Sequence, residues 1–173
     1  MARLPYLKSG ESTAVDEVYA EIGRMGRPVL NLYRVLANQP AALGAFLGMS
    51  RYVRDDSSLD AGLRELMILA TAYELDQPYE VAHHRDAAAR VGVPPAKIAA
   101  VAPGGLLEVL SATERCAVEF ARQVAHTRTC DDAMFGRLQS LFMPEEIIDL
   151  VVTTAWYQLC AVILGTMRVE LEH

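Results

Sequence analysis

The chain has 173 residues and a formal charge of -6, with apolar residues at 52% and aromatics at only 7%. That length fits a single domain, residues 1–173, whose core needs neither disulfide nor metal support, and a composition in which Ala, Leu and Val replace aromatics is that of packed helices. Nucleic acid is excluded as a partner, because a binder needs clustered basic residues and the only lysines are Lys8 and Lys97, with the arginines scattered.

Taken in chain order, the opening MARLPYLKSGESTA lacks an apolar core of signal-peptide length, so no export is expected and the protein is expected to begin near Met1. Ser12 or Thr13 caps a first helix ending near Gly23, and Gly26 and Pro28 separate it from a short helix over about residues 29–37. Asn38-Gln39-Pro40 stops that helix and starts a third, to about Val53. Ser57 or Ser58 is expected to cap a fourth, whose Leu63, Leu66, Met67, Leu69 and Ala70 are too continuously apolar for a surface helix, so both faces should be covered. Asp76-Gln77-Pro78 starts a fifth, ending near Gly92; Pro94-Pro95 opens a short helix to about Val101, and Pro103-Gly104-Gly105 is the clearest internal linker.

Beyond it, Ser111-x-x-Glu114 has the form of a capping box for a helix to about His126. A further helix runs from Thr129 or Asp131 to Leu141, and the last from Pro144 to about Thr166. Residues 147–167 are the only membrane candidate, but Asp149, Thr153, Thr154, Gln158 and Arg168 interrupt or bound them, so the segment reads as a deeply buried helix and no membrane partner is expected. Leu171-Glu172-His173 reads as the stub of an expression tag. The expected fold is all-α with about eight helices. Its excess of apolar helix over what a small bundle can hide predicts a homo-oligomer.

Cys116, Cys130 and Cys160 are odd in number and form no Cys-x-x-Cys, which suits reduced thiols in a cytoplasmic protein. The stretch with chemistry in it is RELMILATAYELDQPYEVAHHRDAAARVGV, from Arg64 to Val93. It joins an apolar helix carrying Glu65 to a second carrying Glu80, His83 and His84. On a helix, residues three and four apart share a face, so Glu80 lies beside both histidines and its carboxylate can bond one imidazole. Two carboxylates and an imidazole are the material of an acid/base site. The plain alternative is a helix pair worth a few tenths of a kcal/mol. For Glu65, in an apolar helix, the alternative is a salt bridge to Arg64 or to Arg51 of a neighbouring subunit. His83 points about 100 degrees from His84 around the helix and reads as a surface or interface residue, and Tyr157 and Trp156 read first as packing residues. Glu80-x-x-His83 has di-iron ligand spacing, but the only second copy is Glu170-x-x-His173 at the chain end, so no metal is expected.

Arg64-Glu65-Leu66, Tyr79-Glu80, His84 and the helix ending Ala88-x-x-x-Gly92-Val93 resemble the carboxymuconolactone decarboxylase family, the all-α superfamily that includes the AhpD-like alkylhydroperoxidases. Asn31 to Leu43 and Val151 to Leu164 look like the flanks of a longer branch. The resemblance implies an AhpD-like helical bundle, oligomeric as trimer or hexamer. The peroxidase branch has a glutamate, a Cys-x-x-Cys pair and a histidine; those spacings fall here on Glu65, on Gln77 and Glu80, and on His84. With both thiols missing, thiol peroxidase chemistry is disfavoured.

What remains agrees with the decarboxylase side: a lyase needing no cofactor, acting on a small carboxylated or lactone-type substrate by loss of CO2 and protonation at carbon. His84 would deliver the proton, Glu80 would hold or recharge the imidazole, and Glu65 would have its pKa raised by burial and by the second carboxylate. Tyr79 and Tyr157 would bond the enolate oxygen, with His83 beside them, and Arg34 or Arg85 would bind a substrate carboxylate. The same groups would serve an isomerase or hydratase. The alternatives are a catalytically silent small-molecule-binding or scaffold member of the fold, and a residual redox protein using one of the three cysteines.

Overall fold

A computed structural model describes residues 1–172. His173 lies outside the described residues, and with it the histidine of the Glu170-x-x-His173 motif and the last residue of the expected tag stub. Two compact units divide the chain: Met1–Asp55 together with the segment from Ile163 onward, and Asp56–Val162.

The first unit contains α1 (Thr13–Arg24), α2 (Asn31–Leu36) and α3 (Pro40–Arg51). Ser12 caps α1 by accepting from Val15 N–H at 3.2 Å, and Val15 and Ile22 turn inward from α1 as Leu43 and Leu47 do from α3. Where the sequence predicted α3 continuing to Val53, the chain instead widens into a π-turn at Tyr52–Asp56. Arg27 grips Asp55 there with a fork of 2.9 and 2.7 Å bonds. The chain ends are tied together in this unit: Arg3 N–H donates to the Met167 carbonyl at 2.9 Å, and the Met1 ammonium meets Glu170 at 2.8 Å.

The second unit holds α4 (Ala61–Glu74), α5 (Pro78–Arg90), α6 (Pro95–Ala100), α7 (Ala112–Thr127), α8 (Asp132–Leu141) and α9 (Pro144–Met167) as far as Val162. Every residue of α4 from Leu63 to Ala72 is buried, with α5 and α7 packed against it, so both faces are covered as the apolar run predicted. Its cap is Asp60, whose Oδ1 accepts from Leu63 N–H at 2.9 Å, and not Ser57 or Ser58. Ser58 is engaged elsewhere, donating from both its backbone N–H and its hydroxyl to Asp149 Oδ2 on α9 at 2.7 Å each. Those bonds are what allow a carboxylate to be 97% buried in an apolar helix.

Pro78 sits in the first turn of α5, and Gly92, at φ +86, ends it. The Pro103–Gly105 stretch is no slack linker, because a Cβ on Gly105 would collide with the carbonyl oxygens of Ala99 and Ala100 at the end of α6. The capping box at Ser111 and Glu114 forms as expected, with reciprocal bonds of 3.2 and 2.8 Å.

Among the described residues there are nine α-helices, in the order the sequence placed them, and no strand. One helix, α9, is long and apolar enough in composition to cross a membrane, and 56% of its most apolar stretch is buried. It is buried on one side only. Asp149, Thr153, Thr154 and Trp156 turn inward, whereas Ile148, Val151, Leu159 and Val162 remain 42–64% exposed.

Candidate active site

Glu65 comes from the middle of α4, and Glu80 and His84 from successive turns of α5. Helix α4 packs against α5, and that contact brings Glu65 to the side of α5 that carries His84. The three side chains converge. His84 Nδ1 lies 2.6 Å from Glu65 Oε2, and Nε2 lies 3.2 Å from Glu80 Oε2. His84 is 1% exposed and each carboxylate residue 5%. Tyr157 from α9 packs edge-on against the imidazole, with ring centroids 4.9 Å apart and planes at 88°.

Two carboxylate oxygens on two ring nitrogens call for two N–H donors when both glutamates are ionised, and only the imidazolium supplies both. Burial pushes the His84 pKa down, but the hydrogen bonds and charges of Glu65 and Glu80 outweigh it and hold the group above its ordinary 6.5. The geometry thus suits an imidazolium between two acids, with a ring proton aimed at each.

The other expected site residues are placed as follows. Tyr79, one residue before Glu80, is buried and packs against His83 with centroids 4.6 Å apart and planes tilted by 47°, which puts that pair on a different side of α5 from His84. Arg34 belongs to the first unit, where its Nε donates to the Val29 carbonyl at 3.4 Å. Arg85 lines a hollow of about 370 Å3 with Tyr73, Asp76, Gln77 and Val81. Gln77 also lines a second hollow, of about 360 Å3, with Leu75, Arg128, Gln158, Leu159 and Val162. Gln77 thus lies on both concave surfaces, one turn before Glu80.

Thr153 was not anticipated. It lies one turn before Tyr157 on the buried face of α9, is 1% exposed, and its hydroxyl finds no protein partner. No composition signal marks such a residue, since a threonine in an apolar helix ordinarily returns its hydroxyl to the helix backbone, as Thr154 does to Leu150 at 2.9 Å.

No group of three or more His, Cys, Asp and Glu side chains among the described residues is disposed to hold a metal ion. At the Glu65–His84–Glu80 cluster both imidazole nitrogens face carboxylate oxygens, so a metal would have to displace one of those bonds. Cys116 lies in the core with its thiol pKa pushed up by burial, and burial also raises that of Cys130. Neither has the lowered pKa of a reactive thiol.

Residues 40–123, which include Glu65, Glu80 and His84, match the model of the carboxymuconolactone decarboxylase family. The family resemblance holds. No curated protein matches the chain. Among solved structures, the AhpD core of an uncharacterized peroxidase-related protein from Ralstonia eutropha JMP134 superposes with a TM-score of 0.83 at 22% identity, covering 99% of this chain and 92% of that one. An uncharacterized peroxidase-related protein from Silicibacter sp. TM1040 gives 0.83 at 17% identity, over 98% and 90%. The debrominase Bmp8 in complex with 2,3,4-tribromopyrrole gives 0.84 at 17%, over 99% and 92%. At these identities the likeness is one of fold, and the fold is AhpD-like and all-helical.

Proposed function

We propose that this protein is a cytoplasmic, cofactor-independent acid/base enzyme that decarboxylates a small carboxylated or lactone-type substrate, in the manner of the decarboxylase family it resembles. The observation that carries this reading is the buried imidazole of His84 held between the carboxylates of Glu65 and Glu80. Loss of CO2 leaves an electron pair delocalised onto the substrate carbonyl, and that carbon must then receive a proton.

With both ring nitrogens occupied, His84 does not meet substrate first. Glu80 takes that place: it receives the proton from His84 Nε2 and passes it to carbon, while Glu65 steadies the ring at Nδ1. In this assignment the roles of Glu80 and His84 are exchanged relative to the sequence expectation. Gln77 and Arg85, on the neighbouring hollow, are suited to orient a substrate carboxylate. The missing thiols at positions 77 and 80 leave no nucleophile there for peroxide, which supports proton chemistry over thiol chemistry.

The test is CO2 release and solvent deuterium uptake at carbon across a panel of small carboxylated lactones and unsaturated acids. Glu80→Gln is expected to lower kcat by about 10²–10⁴-fold, the usual contribution of a positioned acid/base group. A Glu80→Gln enzyme that turns over any of these substrates at the wild-type rate would refute the assignment.

A second reading is favoured by one observation, that the three groups are 95–99% buried and bonded to one another. A catalytically silent member of the fold, binding a small molecule or acting as a scaffold, would be built in this way. No turnover and no ligand-induced thermal shift with any compound in the panel would decide for it.

A further inference from the structure

Two buried polar groups of the second unit have no use in the chemistry above and find no partner. Arg64, the residue before Glu65 on α4, is 9% exposed, and its Nε is sealed from solvent with no hydrogen-bond acceptor among the described residues. The salt bridge to Glu65 that the sequence offered as an alternative does not form; Glu65 bonds His84 Nδ1 at 2.6 Å instead. No other carboxylate among the described residues pairs with the Arg64 guanidinium. On α9, Thr153 is 1% exposed with an equally unpartnered hydroxyl. A buried cation without a counter-charge is among the costliest groups a protein can hold, so this one calls for an anion from outside the chain.

The register of the two helices sets these groups opposite each other. Just before α4, Ser58 bonds Asp149 on α9 from its N–H and its hydroxyl at 2.7 Å each. At the far end of α4, Leu75 lines the hollow of about 360 Å3 together with Leu159 and Val162 of α9. Helices α4 and α9 therefore run side by side in the same sense. Spacings of four, three and four put Arg64, Ile68, Thr71 and Leu75 on one stripe, the stripe that reaches α9 at Leu75. Asp149, Thr153 and Tyr157 form the matching stripe of α9. Arg64 stands about one turn past the Ser58–Asp149 bonds along α4 and Thr153 one turn past them along α9, so the two fall at the same level. The next turn of α9 brings Tyr157, whose ring packs on His84.

We propose that Arg64 and Thr153 form a carboxylate-binding site between α4 and α9, beside the Glu65–His84–Glu80 cluster. The Nε–H and neighbouring Nη–H of an arginine make a fork that fits the two oxygens of a carboxylate, and the Thr153 hydroxyl adds a third donor. That hydroxyl is free for a ligand because, unlike that of Thr154, it is not returned to the helix backbone. The site suits a monoanion better than a phosphate dianion. Arg64 supplies one positive charge, and a second negative charge would stand uncompensated near Glu65 and Glu80 where burial leaves little water to screen it. The link to substrate rests on the acid/base reading: a substrate carboxylate held there would lie one residue along α4 from Glu65 and one turn along α9 from Tyr157. Binding itself rests on the two orphaned groups and stands without the reaction.

Arg64 keeps only 9% of its surface, so the probes are the smallest carboxylates, formate and acetate. The experiment titrates the full chain with each, at constant ionic strength balanced by chloride, and follows the arginine Nε–H groups by nitrogen-15 NMR. The Arg64 signal, identified by its loss in Arg64→Met, should shift saturably with formate and be half-saturated at about 10 mM. Formate at about 0.1 M should then raise Tm by about 3 °C or more over the same concentration of chloride. Arg64→Met should lose that rise, and in chloride it should unfold no lower than wild type, because it removes a buried charge that the chain does not pair. Thr153→Val should weaken formate binding by about three- to tenfold, and Thr153→Ser should retain it. Glu80→Gln should keep the Nε–H shift whatever its turnover, so failure of the anion site and failure of the proposed reaction give different results.

An Arg64 signal that stays in place at about 0.1 M formate, or that moves equally with chloride, overturns the proposal. So does an Arg64→Met protein that keeps the formate-induced rise. Arg64→Met unfolding more than about 5 °C below wild type in chloride would mean that the protein itself satisfies the guanidinium, and overturns the site as well. A shift with inorganic phosphate as large as that with formate overturns the assignment to a monoanion.

Discussion

Two acid–base clusters in the second unit use the same chemistry to opposite ends. At the start of α7, Lys97 reaches Glu114 with two bonds of 2.7 and 2.8 Å while Ser111 and Glu114 cap the helix, and both charged side chains keep 20–28% of their exposure. At the α4–α5 contact, His84 sits between Glu65 and Glu80 with 2–7% side-chain exposure. The first cluster ends a helix and ties it to α6, and water still screens its charges. The second removes three ionisable groups from water, which costs several kcal/mol per ion before pairing offsets it, and apolar residues of the same volume would pack there at no such cost. That cost makes the buried cluster, and not the solvated one, the candidate for the proposed chemistry.

The largest expected effect comes from breaking the buried cluster on one side. Glu65→Ala leaves the His84 Nδ1 side without its acceptor at 1% exposure, and removal of one partner from a buried pair costs about 3–5 kcal/mol. For a chain of this size each kcal/mol moves Tm by roughly 2–4 °C, so thermal unfolding should shift down by on the order of 10 °C. A shift below about 2 °C would remove the contrast between the clusters.

The pH dependences should have opposite signs. His84 has its folded pKa raised above 6.5, so its contribution to stability is fully present below 6.5 and is lost as the pH rises through the folded value. Burial pushes the Glu114 pKa up, but Lys97 and the Ser111 bonds prevail and hold it below 4.5. Its contribution is present above 4.5 and is lost as the pH falls through the folded value. Denaturant titrations across pH should show a loss of stability on the alkaline side that is smaller in His84→Ala, and one on the acid side that is smaller in Glu114→Gln. The His84 ring proton, followed by NMR, should titrate above 6.5. Titration at or below that value would mean that the imidazole is not the charged member of the cluster.

The helices were legible because their ends are written in local chemistry. Ser12, Ser111 with Glu114, Pro78, Pro144 and Gly92 act through neighbours within a turn or two, which a sequence displays directly. Ser58 was misread as a cap for the converse reason: its partner, Asp149, lies 91 residues away, and only tertiary packing decides that Asp60 takes the cap instead. Gly105 looked like slack and is a point of close approach, since what excludes a side chain there is the backbone at the end of α6.

The site divides along the same line. That Glu80 and His84 share a face follows from helical spacing alone. That Glu65 bonds Nδ1, leaving Glu80 the Nε2 side, needs two helices in register and could not be read from either. The family likeness brought Glu65 into the same site but did not distribute the roles. The side of α9 that stays exposed depends on which residues the rest of the unit covers. In α9 the polar Asp149, Thr153 and Thr154 turn inward and apolar residues stay exposed, so the usual polar-out label is reversed in its own sequence.

The smallest expected effect tests the surface member of the comparison. Lys97→Ala removes a screened ion pair and leaves the Ser111–Glu114 capping box in place, so it should cost only about 0.5–1 kcal/mol, a shift in Tm of a few degrees at most. Because the pair is partly in water, even that should shrink as salt is raised from 0.05 to about 0.5 M, where the Debye length falls well below 10 Å. The deficit of Glu65→Ala should hardly respond to salt, since ions do not enter the space between α4 and α5. Equal salt sensitivity in the two variants would mean that both clusters are solvated, and the argument for function from burial would fail with it.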